Sequence, residues 1–141
     1  MGNMQYNTDL TMGLIKADII AANQAISYYK ENNVKNCKNI AAYHIQQAVE
    51  KLIKIQIYRS GVTYSNHKVF THDLIFLHKY ACSLNICYSI PKGILKDLKN
   101  ITDWEAGSRY SVRFSVRIDK LENTYKQVLY WYNQLYKFGI R

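Results

Sequence analysis

Gln46-Gln47-Ala48-Val49-Glu50-Lys51-Leu52-Ile53-Lys54 carries an apolar seam and a polar strip within nine residues. Extended in both directions, the seam comprises Ala41, Ile45, Ala48, Leu52 and Ile55, spaced 4, 3, 4, 3, and predicts a helix over 37–59 with one face in a core. Ser60-Gly61 ends it. The polar residues Gln47, Glu50, Lys51 and Lys54 flank the seam, and Glu50 and Lys54 form an i,i+4 pair in the favourable order.

The neighbouring segments repeat the pattern. Ile15, Ile19, Ala22, Ile26 and Tyr29 predict a helix over 8–31, with Thr8 as its cap and Asp9 in its first turn. The asparagines around Val34 break it, because their side chains favour local turns, and the short loop implies an antiparallel neighbour. Residues 61–70 lack apolar periodicity and read as a polar loop. Thr71 and Asp73 then cap a third helix with Leu74, Leu77, Ala81 and Leu84 inward. Pro91 starts a short fourth helix ending near Thr102. Residues 103–111 read as a linker to the longest pattern, Phe114, Ile118, Leu121, Tyr125, Val128, Tyr132 and Leu135. The expected fold is therefore all-α: one domain over 1–141 with a core at about 8–137, an up-and-down antiparallel helical bundle of three long and two shorter helices.

Composition agrees with that class. One proline, six glycines and 48% hydrophobic residues exclude disordered and fibrous chains, and 141 residues suffice for one core. The formal charge of +9 is spread over both halves and suits phosphate-bearing or acidic partners, RNA included. Three cysteines, Cys37, Cys82 and Cys87, lie far from any C-x-x-C arrangement and read as buried thiols of a reducing cytoplasm. No apolar run reaches the ~20 residues of a membrane span. No secretory or myristoylation signal opens the chain, so a cytoplasmic location without membrane attachment is expected.

Three pieces in this order, the Gln46–Lys54 stretch, Thr71-His72-Asp73-Leu74 and Ser108-Arg109-Tyr110-Ser111, resemble the HEPN (higher eukaryotes and prokaryotes nucleotide-binding) domain family. The resemblance implies a compact helical bundle that binds a nucleotide or another phosphate-bearing ligand, or that partners a minimal nucleotidyltransferase in a two-component, toxin–antitoxin-like system. It implies a binding set of Gln47, Glu50, Lys51, Lys54, His72, Asp73, Arg109, Tyr110 and Arg113, with Lys51 and Lys54 meeting phosphate and Glu50 orienting them. Ser111 stands where the family's arginine-tyrosine segment usually continues with proline. Read without the resemblance, the helix strip is a solvated face with one ion pair before it is a binding groove, and only the resemblance brings the two readings level.

Other features bear on chemistry. Arg109, Arg113, Arg117 and Lys120 step as one basic stripe into the last helix, unless Asp103, Glu105 or Asp119 neutralise it locally. Arg109 beside Tyr110 offers a planar fork for phosphate and a ring that stacks on a base. His72-Asp73 alone lacks the further ligands a metal centre requires, so neither a metal nor a cofactor is expected. Tyr125, Tyr130, Trp131, Tyr132 and Tyr136 exceed what one buried seam absorbs and read equally as core residues whose hydroxyls reach solvent or as a homodimer or heteromer interface.

Some relatives in the HEPN family are metal-independent ribonucleases with a histidine four to six residues after an arginine. Here no histidine follows Arg109, Arg113, Arg117 or Arg141, and Arg59 precedes His67 with seven residues between. Phosphate-cradling glycine loops and nucleophile elbows are also missing. No catalytic residue is assigned. The expected role is a non-catalytic binding module; the alternatives are a ribonuclease toxin using Arg59 and His67, and a nonspecific RNA-binding bundle.

Overall fold

The computed structural model describes residues 10–63, 66–110 and 113–141. Among these are six α-helices and one 3₁₀ turn, without strands: α1 (Met12–Asn32), α2 (Asn36–Arg59), the 3₁₀ turn (His67–Val69), α3 (Leu74–Ser83), α4 (Lys92–Leu95), α5 (Leu98–Tyr110) and α6 (Ile118–Lys137). The all-α bundle expected from the seams is present.

α2 is its axis. It packs against α1, α3, α5 and α6, and its buried residues run from Ala41 to Tyr58 on several faces instead of one. Ile45, Leu52, Ile53, Ile55 and Ile57 are fully enclosed, and with them lie the polar side chains of Gln46, Glu50 and Gln56. α1 lies along α2 and α6, and contributes Ile15, Ile19, Ala22 and Ile26 to the core. Lys30 near the end of α1 reaches Glu122 near the start of α6 at 2.9 Å, while Lys16 near the start of α1 lies over the ring of Tyr132 near the end of α6. The two helices are therefore antiparallel.

Several boundaries differ from those the sequence predicts. Thr8 and Asp9 lie outside the described residues; α1 begins at Met12, with the Thr11 hydroxyl accepting from the Leu14 amide at 3.3 Å. The loop after α2 contains the 3₁₀ turn and buries Val69, so it is not uniformly polar. α6 starts at Ile118, not at Phe114.

The largest departure is at 103–110. The linker expected there is instead the continuation of α5, a helix that runs through Trp104 and Gly107 to Tyr110. Gly107 does not break it. A Cβ there would lie 2.4 Å from the Phe114 ring, so the glycine makes room for an aromatic side chain folded back onto the helix. Trp104 is buried, and the Thr102 hydroxyl donates to the Leu98 carbonyl at 2.7 Å while accepting from the Leu74 amide at 3.1 Å, fastening α5 to the start of α3.

The thiols are also placed differently from expectation. Cys82 and Cys87 are exposed and Cys37 is half-buried. Tyr130 and Tyr136 are exposed on α6 while Trp131 and Tyr132 are buried, in line with the excess of aromatics there. Among the described residues no helix is long and apolar enough to cross a membrane.

Candidate functional site

Three carboxylates are buried along α2 where α1 and α5 cover it: Asp18, Glu50 and Glu105. Each is answered by cations. Buried charges persist only when paired, and the arrangement of partners organises the whole surface above them.

Glu50, 5% exposed, accepts from Lys54 at 2.9 Å and from the Gln46 amide at 3.1 Å, and its Oε1 lies 2.8 Å from His72 Nδ1. Burial pushes its carboxyl upward, but the Lys54 charge and the bonds from His72, Lys54 and Gln46 hold it below its ordinary value. Asp18 is built the same way. Lys51 Nζ is 2.7 Å and His44 Nδ1 2.8 Å from its two oxygens, and these partners outweigh the upward push of burial, leaving a lowered pKa. Glu105 receives the Arg109 guanidinium one turn later in α5, and His72 Nε2 lies 4.0 Å from it. His72 thus stands between two buried carboxylates while the imidazole itself is 60% exposed.

The sequence-derived residues divide accordingly. Glu50, Lys54, His72 and Arg109 come together in one network, and Lys51 joins its neighbour through Asp18. Lys51 and Lys54 have their ammonium groups committed to Asp18 and Glu50, so the strip on α2 is an ion-paired layer; Glu50 is buried and does not face a solvated groove. The Gln47 amide donates to Gln46 at 2.8 Å. Asp73 is the N-cap of α3, accepting from the Ile75 and Phe76 amides at 3.0 and 3.2 Å, with Thr71 accepting from the Asp73 amide. That capping matches the expectation for the Thr71–Asp73 segment and places Asp73 in a structural bond.

The basic stripe is not one helix face. Arg109 ends α5, Arg113 is exposed between helices, and Arg117 is the residue before α6, bonded to Asp119 at 2.8 Å. Ser111 lies outside the described residues. Because Arg109 occupies the last turn of a helix instead of the first, the macrodipole favours its charge. Glu105 and Asp119 neutralise Arg109 and Arg117, the local pairing that the sequence left open.

Arg109 also faces a cleft of about 550 Å³ between the start of α2 and the end of α5. Its guanidinium carbon lies 5.5 Å from the Tyr43 ring centre and 4.7 Å from that of Tyr110. Tyr110 is 74% exposed. Asn36, Asn39, His44 and Ser108 supply polar groups to the same walls, with Ile40 as an apolar one. Tyr43, His44 and Asp18 were not singled out in the sequence. Their signal was weak: Asp18 and His44 lie 26 residues apart, and only the antiparallel α1–α2 pairing brings them to 2.8 Å.

The cleft combines a cation, two stackable rings, amide donors and an imidazole held by a carboxylate. Such a set suits an anionic group attached to a planar heterocycle. Among the described residues no group of three or more His, Cys, Asp and Glu is placed to hold a metal ion. Compared with curated proteins and with solved structures, the chain matches none. The HEPN domain family matches it over residues 18–136, from Asp18 of the buried network through α6. That span contains the network and every wall of the cleft, and the chain belongs to the HEPN domain family.

Proposed function

We propose that this HEPN domain is a non-catalytic binding module taking a nucleotide, or a similar phosphate-bearing ligand, in the cleft between α2 and α5. The observation that carries the reading is Arg109 poised between the Tyr43 and Tyr110 rings at the mouth of that cleft. The part of its guanidinium not engaged with Glu105 meets phosphate, an exposed ring stacks on the base, and Asn36 and Asn39 offer hydrogen bonds to the base edge or sugar. The buried carboxylates set Arg109 and His44 in place without facing the ligand themselves. Lys51 and Lys54 act indirectly, by neutralising those acids so that the surface potential stays positive.

Calorimetric titration of the full chain with ATP, GTP and their diphosphates tests this. Saturable binding is expected, weakened at least about tenfold, or ~1.4 kcal/mol, in Arg109→Ala. Arg109→Lys is expected to recover little, since a point charge replaces neither the fork nor the stacking plane. Lack of saturable heat with every nucleotide overturns the reading. The family also suggests a separate minimal nucleotidyltransferase chain as partner, and native co-purification of such a chain is the corresponding test.

A specific observation favours a second reading. His44, oriented by Asp18, shares the cleft with Arg109, and an imidazole with a cation is a minimal set for metal-independent phosphodiester cleavage. The pair differs from the Arg59 and His67 that the sequence offers; Arg59 donates to the Leu10 and Arg141 carbonyls at 2.7 and 3.2 Å. RNA cleavage without metal, lost in His44→Gln, would replace the binding-only reading. Intact RNA after prolonged incubation retains it.

A further inference from the structure

A second cavity, of about 520 Å³, lies at the opposite end of α2 from the cleft, between the last turns of α2 and α6 and the segment 86–89. Ile86, Cys87, Leu135, Phe138 and Ile140 give it apolar walls, and Gln56, Arg59 and Ser60 bring polar groups to it from the end of α2.

Each wall is fastened by polar bonds of its own. Gln56 is buried and clamps Ser89 at two points, its Oε1 accepting from the Ser89 amide at 2.9 Å and its Nε2 donating to the Ser89 carbonyl at 3.0 Å. The tail after α6 turns at Gly139, whose φ of +95° suits glycine. There the Gly139 amide donates to the Tyr136 carbonyl at 3.1 Å and the Ile140 amide to the Leu135 carbonyl at 3.0 Å, a helix-ending loop that returns Ile140 to the level of Leu135. Arg59 donates to the Arg141 carbonyl at 3.2 Å and ties the tail to α2.

The result is an apolar recess held open by hydrogen bonds. Its size falls within the roughly 300–1,000 Å³ of small-molecule sites. Folding alone gains nothing from such a space, because walls without facing atoms forfeit their dispersion contacts. Phe138, one of those walls, is largely exposed to solvent.

We infer that this cavity binds a small amphipathic anion, an apolar chain ending in a carboxylate, with the chain among Ile86, Leu135 and Phe138 and the carboxylate toward Arg59. Charge complementarity selects the head group. Arg59 brings a cation to the walls, no carboxylate lines them among the described residues, and the whole chain carries +9. The apolar walls select the tail, which a ligand gains by burying there. The site is separate from the nucleotide cleft: the two share no lining residue, and Ile40 and Arg59 lie about 28 Å apart along α2 at ~1.5 Å per residue.

Calorimetric titration of the full chain with octanoate tests it. One octanoate per chain is expected, with affinity falling about fourfold for each methylene removed from the tail. Octanol, with a similar tail and no charge, is expected to bind at least about tenfold more weakly. Cys87→Trp, which puts an indole into the wall, is expected to weaken octanoate at least about tenfold, while Cys82→Trp, exposed but outside the cavity, leaves it unchanged. With Cys37 and Cys82 changed to serine, alkylation of Cys87 by N-ethylmaleimide after folding should block binding in the same way, which separates occlusion from misfolding. Absence of saturable binding, equal affinity for octanol, indifference to both changes at Cys87, or displacement of octanoate by ATP overturns the inference.

Discussion

Glu50 accepts contacts from Lys54, Gln46 and His72 at once while almost wholly removed from water. Removing one member of such a buried set strands the others, at a cost of about 3 kcal/mol or more. Chemical denaturation of Glu50→Ala is expected to show that loss, whereas Lys126→Ala at an exposed position of α6 should change stability by less than about 0.5 kcal/mol. The depressed carboxyls of Asp18 and Glu50 set the acid limit of the fold. A group whose folded pKa lies below its unfolded value stabilises above the unfolded value, and that stability is lost as pH falls through the folded one. Melting temperature should therefore drop as the pH goes below about 4, and the drop should be shallower in Asp18→Asn. An unchanged acid limb in that variant would place the sensitivity elsewhere. Periodicity showed Glu50 and Lys54 as an ion pair, but not as a buried one, because burial on that side of α2 depends on α5 and the segment before α3 closing over it. The same long-range closure hid Asp18 and His44.

α5 shows how a single glycine misleads a reading of elements. Gly107, Ser108 and the charges around Trp104 look like a linker, yet the Phe114 ring needs the missing Cβ, and Arg109 with Glu105 ties the last turn together. Gly107→Ala is expected to destabilise by about 1–3 kcal/mol despite the better helix propensity of alanine. Phe114→Ala should remove most of that added penalty in the double variant, a non-additivity that thermal melts can read. Additive effects would mean that the ring does not rest on Gly107. The long helices α1, α2 and α6 were legible because each presents a seam of regular 4, 3 spacing to the core. α4 and α5 were not separated in the sequence because their apolar positions, Ile94, Leu98 and Ile101, continue one period across the turn at Lys96 and Asp97.

Across the whole molecule, a charge of +9 surrounds a network whose internal charges are largely cancelled. On the proposed reading, long-range attraction brings anions to the surface and Arg109 with its rings selects among them. Affinity for a nucleotide should fall moderately as salt rises through the range where the Debye length drops from about 10 to 3 Å, because one guanidinium at close range is only partly screened. A nonspecific RNA-binding surface would show the much steeper logarithmic slope of many released counterions. The bundle class and the family could be read directly from the chain, as could the pairing of Glu50 with Lys54. The direction in which that pair faces could not, since it depends on which helices cover α2. The measurement that reaches the central claim most directly is a backbone amide NMR titration of the full chain with ATP. The account predicts saturable shifts concentrated at Asn39, Tyr43, His44, Ser108, Arg109 and Tyr110. Shifts that are absent, or that gather on another face while the cleft stays silent, would contradict it.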